Sequence, residues 1–206
     1  MDNHIIINVG RQLGSGGREV AKLLAQEFNA TFYDREILAL AAKESGFAPE
    51  FFEQNDEHKG FMRTLFHLHA PHVADNNFYA SNFSQEALFK FQSDAIRKAA
   101  MQGPCVFVGR CADYILRDFS SAVNVFVTAS IDFRIAHVAN RHNCSADEAR
   151  RIIEKAEQDR ASYYHYYTGK RWGAAESYHL CIDASILGIP DTARLIASFV
   201  RSRFPL

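Results

Sequence analysis

The stretch Ile5-Ile6-Ile7-Asn8-Val9-Gly10-Arg11-Gln12-Leu13-Gly14-Ser15-Gly16-Gly17-Arg18-Glu19 decides how the chain is read. Ile5 to Val9 is a short β-branched run, the mark of a buried strand. Four glycines follow within the eight residues from Gly10 to Gly17. From Glu19 to Phe28 the apolar residues recur at helical spacing. The order is strand, glycine loop, helix. Such a loop can turn consecutive backbone N–H groups inward, and together with the helix N-terminus these donors cradle phosphate. Glycine suits the task because side chains would block the anion and forbid the backbone angles.

The phosphate-binding consensus G-x-x-x-x-G-K-[ST] fits in two registers, neither complete. With Gly16 as the last glycine, Gly17 stands at the lysine position, Arg18 at the Ser/Thr position, and Arg11 replaces the first glycine. With Gly17 as the last glycine, Arg18 replaces the lysine and Glu19 the hydroxyl residue. Both lose the magnesium-binding hydroxyl. Arg18 would supply positive charge to phosphate with a different reach and shape from lysine.

Working outward, Thr31 to Tyr33 reads as a brief strand before Asp34, and residues 35–43 as a helix. Residues 44–83 show no regular pattern. A helix is expected from Gln85 to Met101, with Ser84 as N-cap and Gly103-Pro104 as its stop. Cys105 to Val108 and Asn124 to Thr128 are strand-like, and Ile131 to Asn140 is helical. Ser145-Ala146-Asp147-Glu148 forms a capping box that opens a long helix through about Tyr164. His179 to Ile182 is a fifth strand, and Pro190 opens a last helix whose buried face is Leu195, Ile196, Phe199 and Val200. Five strands alternating with helices predict an α/β fold, a five-stranded parallel sheet with helices on both faces. Ligands bind beyond the carboxyl ends of such strands, where Gly10, Asp34, Gly109-Arg110 and Asp183 fall.

Composition narrows the function. The 206 residues are 48% apolar, enough for one buried core, and 23% charged, which excludes wholesale disorder. Lys and Arg total 23 against 24 Asp and Glu, so the overall field does not favour a nucleic-acid polymer as partner. The most apolar stretches are strand-length, which argues against a membrane span, and Met1 to His4 lacks the basic start of a signal peptide. Cys105, Cys111, Cys144 and Cys181 lack paired spacing and read as reduced thiols of a cytoplasmic protein. His67, His69 and His72 match no metal-site spacing, and no metal ligand is assigned. The aromatic run from Tyr163 to Tyr167 reads as packing, with Trp172 a weaker candidate for stacking on a base.

The chain resembles the cytidylate kinase-like family, a branch of the nucleoside monophosphate kinases. The resemblance rests on segments in the right order: Gly14 to Glu19, Phe32 to Ile37, Val108 to Tyr114, Asp159 to Tyr164, Tyr167 to Trp172 and Cys181 to Ser185. It implies a P-loop NTPase-type three-layer fold in one domain. The core would be about 1–34, 101–139 and 173–206, with a monophosphate-binding insertion at about 35–100 and a lid at about 140–172. It also implies ATP-dependent phosphoryl transfer to a nucleoside monophosphate, first of all CMP or dCMP, with ATP and Mg2+ as cofactors. Gly14, Ser15, Gly16, Gly17, Arg18 and Glu19 would bind the ATP phosphates.

Phosphoryl transfer to a phosphate oxygen needs no strong base, because that oxygen is already ionised, so arginines should do the work. Arg18 and Arg160 are the catalytic candidates. Asp34, Arg110, Asp159, Lys170 and Arg171 are the substrate-binding candidates. Arg150 and Lys155 read instead as a solvated helix face. Asp34 and Asp113 are compatible with contacting substrate or holding magnesium through water, and equally with capping the helices that follow them. Two alternatives stand beside this reading: a phosphotransferase on another small substrate, and a nucleotide-binding regulator without turnover.

Overall fold

The computed structural model describes residues 4–34 and 78–204, with side chains in the second segment from Glu86 onward. Strand β1 (Ile6–Arg11) leads through the glycine loop into α1 (Gly17–Glu27) and β2 (Thr31–Tyr33). After α2 (Phe78–Gln102) come β3 (Cys105–Val108), the short α3 (Ala112–Ile115) and β4 (Ala122–Thr128). Next are α4 (Ile131–His142) and α5 (Ala146–Thr168), then β5 (Leu180–Asp183), α6 (Ala184–Leu187) and α7 (Ile189–Arg203).

The five strands form one sheet in the order β2-β3-β1-β4-β5, and every pairing is parallel. Alternation along the strands divides the core between two faces. Ile6, Cys105, Phe107 and Ala122 face α2 and α3. Ile7, Val9, Val106, Val125 and Val127 face α1 and α7. Strand β1 is central, paired with β3 on one side and β4 on the other. The loop that leaves it therefore opens where strand order reverses, the place where such sheets bind ligands.

The expected alternation of strands and helices holds, with differences at the boundaries. Strand β1 runs past Val9 to Arg11, because Gly10 and Arg11 stay in register with Phe126 and Val127 of β4. Helix α2 starts at Phe78, so Ser84 is an interior residue and not the expected N-cap. The Ser145 capping box is present, and α5 continues to Thr168, where left-handed Gly169 ends it. Leu195, expected in the buried face of α7, is 43% exposed, while Ile196 and Val200 on the same helix are fully buried. The helix expected at 35–43 and the three histidines lie outside the described residues. Among the described residues no two cysteines are joined in a disulfide, and no helix is long and apolar enough to cross a membrane.

Ile7 is fully buried in the central strand. Ile7→Ala should cost about 2–5 kcal/mol, and Leu195→Ala less than about 0.5 kcal/mol. At about 2–4 °C per kcal/mol for a chain of this size, thermal melting separates the two. Equal losses would contradict the burial assigned to these residues.

Candidate active site

Helix α1 begins at Gly17, with Gly16 as a left-handed cap at φ 78°. The loop therefore ends at Gly16, and of the two registers the one that puts Gly17 at the lysine position describes this backbone. Gly14 is also left-handed, at φ 80°. A Cβ there would come within 2.7 Å of the Arg134 carbonyl oxygen, and one at Gly16 within 2.6 Å of the Ile189 side chain. Glycine is thus required by the protein behind the loop as well as by the backbone angles. Ser15, wholly buried, holds the turn: its Oγ donates to the Gln12 carbonyl at 2.9 Å and accepts from the Gly17 N–H at 3.3 Å. Among the described residues the N–H groups of Gly14 and Gly16 have no acceptor. The first turn of α1 adds further donors by helix geometry.

Both backbone groups of Leu13 are held by side chains from distant helices. Its N–H donates to Glu157 Oε1 of α5 at 2.8 Å, and its carbonyl accepts from Arg134 Nε of α4 at 2.8 Å. Arg134 and Glu157 are themselves paired at 3.3 Å. Burial pushes the Glu157 carboxyl up despite the Leu13 N–H and the nearby charges of Arg134, Arg160 and Arg11. Burial likewise lowers the Arg134 guanidinium, against the pull of Glu157.

The cations converge from four elements. Arg18 of α1 donates from Nε to Asp34 Oδ2 at 2.5 Å and lies over the Phe32 ring. Burial by itself would raise the Asp34 carboxyl. The Arg18 hydrogen bond and the charges of Arg11, Arg18 and Arg110 outweigh it and hold the group below the usual carboxylate range. Arg110, buried beyond the end of β3, donates from Nε to the Asp34 carbonyl at 3.3 Å. Arg160 of α5, also buried, donates from Nη1 to the Arg11 carbonyl at 3.3 Å and lies 3.9 Å from Glu157.

These groups border two cavities. The larger, about 930 Å³, runs from the loop and Glu19 past Asp34 to α4, and is closed on the α5 side by Asp159 and Arg160. The smaller, about 20 Å³, lies between Arg11, Gly109-Arg110 and Arg160. The structure thus brings the loop together with Arg18, Asp34, Arg110, Asp159 and Arg160. Asp159 Oδ1 accepts from Lys155 Nζ at 2.8 Å, while its Oδ2 has no hydrogen-bond partner among the described residues. Lys170 and Arg171 are exposed and line neither cavity. Asp113 accepts from the Tyr164 hydroxyl at 2.6 Å, and burial raises its carboxyl. Trp172 packs edge-on against Phe126, and Phe89 stacks on Tyr167. Arg134 and Glu157 were not singled out by sequence pattern. Each is one charge on an amphipathic helix, and its partner lies more than a hundred residues away.

Residues 6–186 match the cytidylate kinase-like family, and the chain belongs to it. No curated protein matches the sequence. The crystal structure of an uncharacterized protein from Eubacterium ventriosum ATCC 27560 is similar at a TM-score of 0.71 and 24% identity, over 96% of this chain and 99% of that one. Shikimate kinase from Bacteroides thetaiotaomicron is similar at a TM-score of 0.54 and 12% identity, over 96% of this chain and 98% of that one. Shikimate kinase from Acinetobacter baumannii in complex with shikimate is similar at a TM-score of 0.53 and 13% identity, over 98% of this chain and 94% of that one. At these identities the likeness is one of fold, the P-loop NTPase type. The family is a kinase-like one.

Because the Asp34 carboxyl is held below its ordinary value, its contribution to stability is complete above the unfolded value of about 3.9. It is lost as pH falls through the folded value. Asp34→Asn should therefore cost about 1–3 kcal/mol at pH 7, toward the low end because Arg18 is partly open to solvent. The gap from the parent should close in acid. Melting curves from pH 7 down to the lowest pH at which the parent folds check this; a gap that does not change with pH would contradict it.

Proposed function

We propose that the chain transfers a phosphoryl group from ATP to a nucleoside monophosphate, with CMP or dCMP as the first substrate. The observation that carries this is the loop, whose Gly14 and Gly16 N–H groups have no acceptor among the described residues, opening into a cavity bordered by buried arginines. Those N–H groups and the first turn of α1 would hold the donor phosphates. Arg160 stands where the cavity meets the loop and would offset charge shared between donor and acceptor in the transition state. Arg110 and the ionised Asp34 would hold the acceptor, through its phosphate and a hydroxyl or amino group. We assign residues 35–100 to the monophosphate-binding insertion and 140–172 to the lid.

The described residues do not form a magnesium cage. No group of three or more His, Cys, Asp or Glu is placed among them to hold an ion, and Arg18 stands at the hydroxyl position with Asp34 as its partner. The magnesium of an ATP complex would be held by phosphate oxygens and water, and no step of the transfer is assigned to it.

A second reading, transfer to a small hydroxylated acid, draws on the shikimate kinases that share the fold and on the ionised Asp34, which suits a hydroxyl donor. ATP consumption with a panel of nucleoside monophosphates and hydroxylated acids decides between them. The first reading predicts turnover with CMP or dCMP above the other acceptors. Turnover with a hydroxylated acid alone would replace it with the second. Nucleotide binding without any turnover would make the chain a regulator. ATP at a hundred times its dissociation constant should also stabilise the fold by about 2.7 kcal/mol, a rise of roughly 5–11 °C in melting temperature. No shift at millimolar nucleotide would contradict all three nucleotide-binding readings.

A further inference from the structure

Arg11 is a buried cation that makes no ion pair among the described residues. The last residue of β1, it is 8% exposed. Among the described residues its guanidinium has neither a hydrogen bond nor an ion pair. Asp34 and Glu157 feel its charge without pairing with it. Arg11, like Arg160, lines both cavities. A buried charge without a partner is costly and persists where a ligand supplies the partner.

Gly17 gives a second, independent observation. Its backbone is not left-handed, so the backbone angles do not require glycine there. A Cβ at Gly17 would instead strike the Cβ of Arg11 and come within 3.1 Å of its Cγ. A Cβ at Gly109 would strike the Arg11 guanidinium. Side chains at positions 11 and 17 thus compete for one volume, and the chain fills it from position 11. Arg18, the sequence-based candidate for the missing lysine, is committed to Asp34.

We propose that Arg11 is the phosphate-binding cation of the loop, doing from the end of β1 what the consensus lysine does from position 17, and that its ligand is the phosphate bridging the two cavities. This rests on the kinase reading above and names a residue that reading leaves out.

The test combines calorimetric binding of inorganic tripolyphosphate and of ATP with melting curves in the absence of ligand. The proteins are the parent, Arg11→Met, Arg11→Gln, Gly17→Lys and the double variant Arg11→Gly/Gly17→Lys. Removing an unpaired buried charge should leave the ligand-free melting temperature of Arg11→Met and Arg11→Gln at or above that of the parent. Tripolyphosphate affinity should fall about 10- to 100-fold, the worth of a charge-assisted hydrogen bond. Gly17→Lys alone should lower the melting temperature through its clash with Arg11. The double variant should melt above Gly17→Lys and recover affinity to within about tenfold of the parent. Unchanged tripolyphosphate affinity in Arg11→Met would overturn the inference. So would failure of both single Arg11 variants to fold, which would make Arg11 structural. If the parent binds tripolyphosphate in an Arg11-dependent way but transfers nothing from ATP, the kinase reading falls and the assignment of Arg11 stands. If the parent binds neither ligand, both fall.

Discussion

Leu13 gives both of its backbone groups to side chains from α4 and α5, and the site depends on that grip. A loop with glycines at 14, 16 and 17 has much conformational freedom to lose. Local bonds through Ser15 close the turn but do not orient it toward the rest of the fold. The Arg134–Glu157 pair does, and Glu157 accepts the Leu13 N–H although burial raises its carboxyl. A phosphate entering such a loop meets donors that are already aimed, so less ordering is needed on binding. The same helix that supplies Glu157 supplies Arg160, one turn further on, so holding the loop and placing a cation beside it come from one packing contact.

A second constraint acts from β3. Gly109, Arg110 and Cys111 are all left-handed, at φ 71°, 56° and 55°. For the two non-glycine residues this costs on the order of 1–3 kcal/mol each. The outcome is a sharp turn that carries the Arg110 guanidinium under Asp34 and leaves Gly109 as the floor against which Arg11 lies. Arg110 and Arg11 thus reach the junction of the two cavities from adjacent strands. Arg11, Arg18 and Arg110 all act on the one Asp34 carboxyl, an excess of positive charge that suits a polyanionic ligand.

Much of this was legible from sequence because it is periodic or local. The β-branched run of β1, the spacing of α1 and the Ser145 capping box are short-range signals, and the parallel sheet follows from the alternation of strands with helices. Arg18, Asp34, Arg110 and Arg160 were legible as candidates because they stand at strand ends or in segments resembling the family. What escaped was set by contacts distant in sequence. Leu195 has the spacing of a core residue, yet it points away because Ile196 and Val200 already fill the contact with β1 and α1. Gly17 reads as a lost lysine until the Arg11 stem is seen in its place. Arg134 and Glu157 carry no local signal at all, since their meaning is the Leu13 backbone between them.

Phosphate chemistry at this site depends on where triphosphate lies and what neutralises it. The most direct measurement is a crystal structure of the chain with a non-hydrolysable ATP analogue. Phosphate oxygens are expected on the Gly14 and Gly16 N–H groups, with Arg11 within hydrogen-bond distance of the bridging phosphate and the Leu13 clamp unchanged. Triphosphate bound away from the loop, or on the loop with Arg11 turned from it, would contradict the account.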